Sequence, residues 1–167
     1  FVNDENNILN ECNIMEINEE EAKEFNERYN LQGHITSSLY IGMYCNNELK
    51  SMLSLQKEND NKWRVVRFTN NVNNNLIVNS IINYFIDKYK PNKIEAYEDH
   101  RWLANSNDSI YRRTGFELVD IIPPDYGYTK GQNDYINKEK SKDCHLSNDY
   151  YRIYDCGQYK YEWKNVN

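Results

Sequence analysis

The spacing of apolar residues switches repeatedly along the chain between strand-like and helix-like periods. After a short β-rich stretch around Asn13–Ile17, Ile17, Ala22, Phe25 and Tyr29 stand at near-helical spacing among charges. Asn18, three residues before Glu21, is placed to cap that helix. Residues 38–56 hold two apolar runs around Asn46-Asn47. Asparagine tolerates the positive φ of a tight turn, so a β-hairpin is predicted. Trp63–Phe68 is a β-rich run, and a polar loop of asparagines follows it. Over Leu76–Tyr89, Ile77, Ile81, Ile82, Phe85 and Ile86 make one helical face that Pro91 stops. Lys93–Tyr97 reads as a strand, Ser106–Thr114 as a short helix ended by Gly115, and Phe116–Ile122 as another strand. Pro123-Pro124 breaks the chain before a strand at Tyr126–Lys130.

The resulting order is β-α-ββ-β-α-β-α-β-β, an α/β (α+β) arrangement with a mixed sheet. Residues 131–149 are polar and aperiodic and read as a mobile connector, and Tyr150–Trp163 as a terminal hairpin turning at Cys156-Gly157. The organisation is thus a core over 1–130, a connector over 131–149 and a C-terminal hairpin over 150–167 packing on the core.

Composition narrows the class. The chain has 167 residues and a net charge of −6, with 39% hydrophobic and 14% aromatic residues, enough for one folded domain. No run approaches the roughly 18 apolar residues of a membrane helix, and Phe1–Glu5 has neither the basic nor the apolar region of a signal peptide. A chain opening on Phe1 reads as a processed or excised piece of a longer product. The charge is uneven: residues 1–60 carry 12 acids and 4 bases, so the remainder is mildly basic. A nucleic-acid footprint over the whole chain is excluded at a pI of about 5.1. Cys12, Cys45, Cys144 and Cys156 form no CxxC pair. They are therefore expected as free thiols in a cytoplasmic protein, with no metal site.

Ile94–Phe116, ending in Ser109-Ile110-Tyr111-Arg112-Arg113-Thr114-Gly115-Phe116, together with the element order, resembles the GNAT-type N-acetyltransferases, whose fourth helix often carries a Tyr four residues before Gly-Phe. Tyr40-Ile41-Gly42, Asn47-Glu48-Leu49, Asp99-His100-Arg101-Trp102 and Tyr151–Gly157 extend the likeness to GNAT-like domains found beside phage and large-DNA-virus homing endonucleases, and distantly to Mom-type DNA-modification proteins. The resemblance implies a splayed central sheet flanked by helices and an acyl donor such as acetyl-CoA. It also implies cofactor contacts at Arg67, Phe68, Thr69, Asn74 and Asn75, and an acyltransferase-like enzyme of viral or mobile-element type acting on a nucleobase or another amine. The family's glycine-rich pyrophosphate loop is replaced by Asn70-Asn71-Val72-Asn73-Asn74-Asn75. Backbone N–H groups approach phosphate most closely where glycine leaves room.

Asp99, His100 and Arg101 follow a strand directly, at the end where open α/β sheets place ligands. An acid, an imidazole and a guanidinium supply a base, a proton carrier and an anion clamp. The resemblance implies that Tyr111 is the acid that protonates a departing thiolate. Arg112, Arg113, Lys130 and Lys138, interleaved with tyrosines, are candidates for contact with DNA or RNA. The alternatives are a cofactor-free nucleic-acid-binding module working with a nuclease or replication protein, and a protein-interaction module or inhibitor. No membrane partner is expected.

Overall fold

The computed structural model describes residues 12–72, 75–103, 105–131, 134–143 and 145–165, with side chains at all of these except 75–78 and 102. The main sheet has seven strands in the order β1-β2-β3-β4-β5-β10-β6, antiparallel throughout except for the parallel pair β4 and β5. The strands are β1 (Cys12–Glu16), β2 (Leu39–Cys45), β3 (Glu48–Lys57), β4 (Lys62–Asn70), β5 (Lys93–Asp99), β6 (Glu117–Ile122) and β10 (Gln158–Lys164). Helix α1 (Glu19–Tyr29) lies on one face, and α2 (Asn75–Tyr89) and the short α3 (Ile110–Arg113) on the other. No helix of the described residues is long and apolar enough to cross a membrane.

Local chemistry sets these elements. The Asn18 side chain accepts from the Glu21 amide at 2.9 Å and caps α1. Asn46 and Asn47 turn the β2–β3 hairpin at φ 54° and 61°. This is the both-positive pattern of the two-residue turn that matches strand twist. Ile81, Ile82 and Phe85 of α2 are all but fully buried against Ile41, Leu53, Leu55, Trp63 and Ile94, with Phe85 edge-on to Trp63 at 5.2 Å. Ala22 and Phe25 of α1 cover Tyr40 and Met52 on the opposite face.

On β5 and β10 the face shared with α1 is held by charge. Glu95, 6% exposed, accepts from Lys62 at 3.2 Å, Lys93 at 3.1 Å and Lys160 at 3.1 Å, and Glu162 is gripped by Lys93 at 2.6 Å. Burial alone would raise the Glu95 carboxyl, but the bonds from Lys160, Lys93 and Lys62 bring it down to about 2 from an ordinary 4.5. A carboxylate lowered by folding contributes stability that is complete above its unfolded value and lost as pH falls through its folded one. Urea unfolding is therefore expected to show stability falling between pH 4.5 and about 2, and Glu95→Gln to flatten that decline. An unchanged slope in the variant would place the acid sensitivity elsewhere.

Three expectations are corrected. Cys12 and Cys45 are directly opposed in the β1–β2 register, with Cα atoms 4.2 Å apart, and form a disulfide. Register, not sequence spacing, brings them together, and such bonds are uncommon in reducing compartments. Cys156 is a half-buried free thiol, and Cys144 lies outside the described residues. Secondly, the polar segment after Thr129 is structured in its described part. It supplies β8 (Tyr135–Asn137) and α4 (Lys138–Ser141), the latter capped by Asn137 on the Lys140 amide at 2.8 Å. With β7 (Tyr126–Thr129) and β9 (Tyr151–Tyr154), β8 builds a second sheet in the order β8-β7-β9. Thirdly, the chain does turn at Gly157, but β9 and β10 are not a hairpin. One belongs to the small sheet, while the other inserts between β5 and β6.

Candidate active site

The β4–β5 pair is in register only over Lys62–Arg64 and Lys93–Glu95. Beyond that, β4 stays bonded to β3 and β5 to β10, and the two strands present facing edges across a widening gap. The cause is local. Ser54 opposes Arg67 and Leu55 opposes Val65, so Val66 is an extra residue in β4. A bulge of this kind bends the strand that contains it. The gap is an open cavity of about 500 Å³ whose walls include Val66, Phe68 and Thr69 of β4, Tyr97–Asp99 of β5, Tyr111 of α3 and the segment Tyr29–Gln32.

That last wall is tied down by polar contacts. Thr69 donates to the fully buried Asn26 side chain at 2.6 Å, and Asn30 donates to Thr69 at 2.9 Å, joining the end of α1 to β4. Arg67 donates to the carbonyls of Val66 at 2.8 Å, Gly33 at 3.1 Å and Gln32 at 3.4 Å. These bonds give the helix-free segment after α1 a fixed course along the cavity.

Strand alternation sorts the side chains of β5. Ile94 and Ala96 point into the core beneath α2 and α3, and Glu98, two residues on, lies beside α3, where its carboxylate accepts from Ser109 Oγ at 2.5 Å. Burial pushes the Glu98 carboxyl above its ordinary range, and the Ser109 bond offsets only part of this. Tyr111 is 4% exposed on the same wall. Its phenol makes no hydrogen bond to another described residue, and burial, reinforced by the Glu98 charge, pushes it far above the ordinary tyrosine range. It stays protonated at any working pH. A carboxylate whose raised pKa suits it to take a proton and a phenol that is present in its protonated form therefore share one cavity. Glu98 was not singled out from the sequence, because a strand ending at Tyr97 leaves it outside the alternation.

The other anticipated residues are placed as follows. Asp99 is the cap of a 3-10 turn over His100–Trp102. It accepts from the Arg101 amide at 2.9 Å, from the Arg101 guanidinium at 2.7 Å and from Cys156 Sγ at 2.5 Å. Arg101 above all holds its carboxyl well below the usual range. His100 packs on Tyr159 at 4.0 Å, with Nε2 buried and without a hydrogen-bond partner among the described residues. Arg67, Phe68 and Thr69 line the gap, Asn75 opens α2, and Asn74 lies outside the described residues. Arg112 and Arg113 are exposed on α3. Lys130 and Lys138 sit at the small sheet, each paired to an acid: Asp134 at 3.5 Å and Asp125 at 3.3 Å.

A seven-stranded sheet of this order, splayed between its two parallel central strands and flanked by helices on both faces, is the fold of the GNAT N-acetyltransferases. The sequence matches no family profile and no curated protein. The structure is similar to the IAA acetyltransferase from Bacillus cereus ATCC 14579 (TM-score 0.59, 13% identity, covering 92% of this chain and 99% of that one). It is likewise similar to the ribosomal-protein-S18-alanine N-acetyltransferase from Escherichia coli (TM-score 0.61, 9% identity, 92% and 93%). A third similar structure is a GNAT family acetyltransferase from Elizabethkingia anophelis with acetyl-CoA bound (TM-score 0.60, 11% identity, 93% and 99%).

Proposed function

We propose that the chain is an N-acyltransferase that moves an acyl group from an acyl-CoA thioester to an amine. The observation that carries this reading is the open β4–β5 gap with Glu98 and Tyr111 on one wall. The facing strand edges suit an extended donor arm whose amides pair like a strand, and the positive end of α2 begins just after β4. The donor supplies the electrophilic carbonyl carbon. The amine nitrogen forms the new C–N bond, the C–S bond breaks, Glu98 accepts the nitrogen's proton, and Tyr111 gives one to the leaving sulfur. In this scheme Asp99 and Arg101 order the turn after β5, and Glu98 takes over the role of base. A nucleobase amine is among the acceptors this chemistry admits; the acyl-CoA donor suits a cytoplasmic location, whereas the Cys12–Cys45 disulfide suits an oxidising one.

Calorimetric titration with acetyl-CoA, followed by thiol release against pH, tests the reading. Saturable binding is expected, with activity rising as pH increases through the raised Glu98 pKa, so that the acid limb lies above the ordinary carboxylate value of 4.5. Absence of binding at millimolar acetyl-CoA would sink the proposal. It would then favour the cofactor-free nucleic-acid module, for which one observation speaks. Arg152 lies 4.4 Å over Tyr126 and bonds Tyr128, beside the exposed Tyr154, an arrangement on which bases can stack. That module would bind DNA in a salt-dependent manner without acetyl-CoA.

A further inference from the structure

The splay has a second mouth. On the α1 side of the sheet a cavity of about 430 Å³ adjoins the first through Val65, Val66, Arg67 and Tyr97. Its charge is unbalanced. Arg67 is half-buried, its three hydrogen bonds all go to carbonyl oxygens, and no described carboxylate lies within ion-pair distance of it, so it has no counter-ion among the described residues. Arg64 faces the same cavity with its side chain 48% exposed. Its one carboxylate neighbour among the described residues, Glu58 at 3.8 Å, is shared with Lys62 at 3.0 Å. The acid on this wall, Asp99, is already engaged by Arg101 and Cys156. Lys160 adds a further cation 5.9 Å from the Tyr97 ring, held by Glu95 and Glu162. The amides of Gln32 and Gln158 complete a lining rich in hydrogen-bond donors.

Carbonyl oxygens meet three N–H groups of Arg67 but bring no net charge, so an anion entering the cavity would be its first counter-ion. Guanidinium groups match the planar, two-oxygen face of carboxylate and phosphate. We propose that this cavity receives the acceptor, and that the acceptor is an amine carrying an anionic group, a carboxylate or a phosphate, seated on Arg64 and Arg67 while its nitrogen faces the splay. The proposal rests on the acyltransferase reading and adds the substrate class to it.

Three amines with the same two-carbon spacer test it with acetyl-CoA as donor: β-alanine, 2-aminoethyl phosphate and ethanolamine. Turnover efficiency with the anionic amines is expected to exceed that with ethanolamine roughly tenfold or more. The order of the first two tells carboxylate from phosphate. Arg64→Gln should close most of the gap by raising KM for the anionic amines while KM for acetyl-CoA stays the same. Ethanolamine used equally well, or an undiminished gap in the variant, would overturn the proposal. A second measurement does not depend on turnover: inorganic phosphate titrated into the protein should shift the arginine side-chain NMR signals of Arg64 and Arg67, and Arg64→Gln should weaken that binding. If acetyl-CoA fails to bind but phosphate shifts both arginines, the acyltransferase reading falls and the anion site stands. If acetyl-CoA binds and phosphate shifts neither, the anion site falls alone.

Discussion

Replacing Tyr111 with phenylalanine is expected to lower turnover about a hundredfold, the lower end of what a positioned general acid contributes. The phenol oxygen is what the substitution removes, and no described residue bonds it, so the ring keeps its contacts with Phe116 at 5.4 Å and Tyr161 at 5.8 Å. Thermal stability and KM for acetyl-CoA should therefore remain near those of the parent. The defect should depend on the leaving group. A thiolate of high basicity needs a proton as the C–S bond breaks, whereas an acetyl thioester of an aromatic thiol leaves without one. Steady-state thiol release with both donors decides the matter. A hundredfold loss with acetyl-CoA that shrinks severalfold with the aromatic thioester identifies Tyr111 as the acid. An equal loss with both donors, or a fall in melting temperature with no kinetic specificity, would assign the residue to packing alone.

Much of the scaffold around that tyrosine can be read from single residues. Asn18, Asn46 and Asn47 declare a cap and a turn because their side chains or backbone propensities act within three residues. The Ile81–Ile82–Phe85 stripe declares its face because a helix repeats every 3.6 residues. Features built from distant pairings were not legible. The opposition of Cys12 and Cys45 depends on hairpin register, with the shift between Met43 and Tyr44 included. The insertion of β10 between β5 and β6 carries no local signal, and with it comes the meeting of Glu95 with three lysines from three strands. Glu98 falls between these cases. Extending the strand by two residues to Asp99 assigns Glu98 and Asp99 to opposite faces by parity alone, and only then does the carboxylate beside Tyr111 become distinct from the one that binds Arg101. Of the small sheet, β7 and the extended course of β9 were legible, but β8 and α4 were not, because at three and four residues they are too short to display a period.

The largest stability effect is expected at the crossing where the small sheet leaves and rejoins the main one. Gly157 has φ +75°, and a Cβ there would stand 2.4 Å from the Ile122 carbonyl oxygen and 3.1 Å from both Pro123 C and Pro124 N. All three obstacles are backbone, two of them in a Pro-Pro pair and the third next to it, so none can give way by a side-chain rotation. Gly157→Ala therefore adds a clash to the ordinary cost of a left-handed backbone, and urea unfolding should show a loss of about 3 kcal/mol or more. Gly33→Ala separates the two contributions. That glycine has φ +66° with no atom within 4 Å of a Cβ, so its substitution should cost only about 1 kcal/mol. The damage at Gly157 should also reach the site. Its carbonyl accepts from the His100 amide at 3.2 Å, and the preceding Cys156 bonds Asp99. Forcing this strand away from Ile122 thus loosens the turn that follows β5. Turnover in Gly157→Ala should fall even at temperatures where the protein remains folded, whereas Gly33→Ala should leave the pH profile in place. Equal stability losses in the two variants would mean that the Ile122–Pro124 segment yields to the new methyl group, and that the crossing is not the rigid joint its contacts describe.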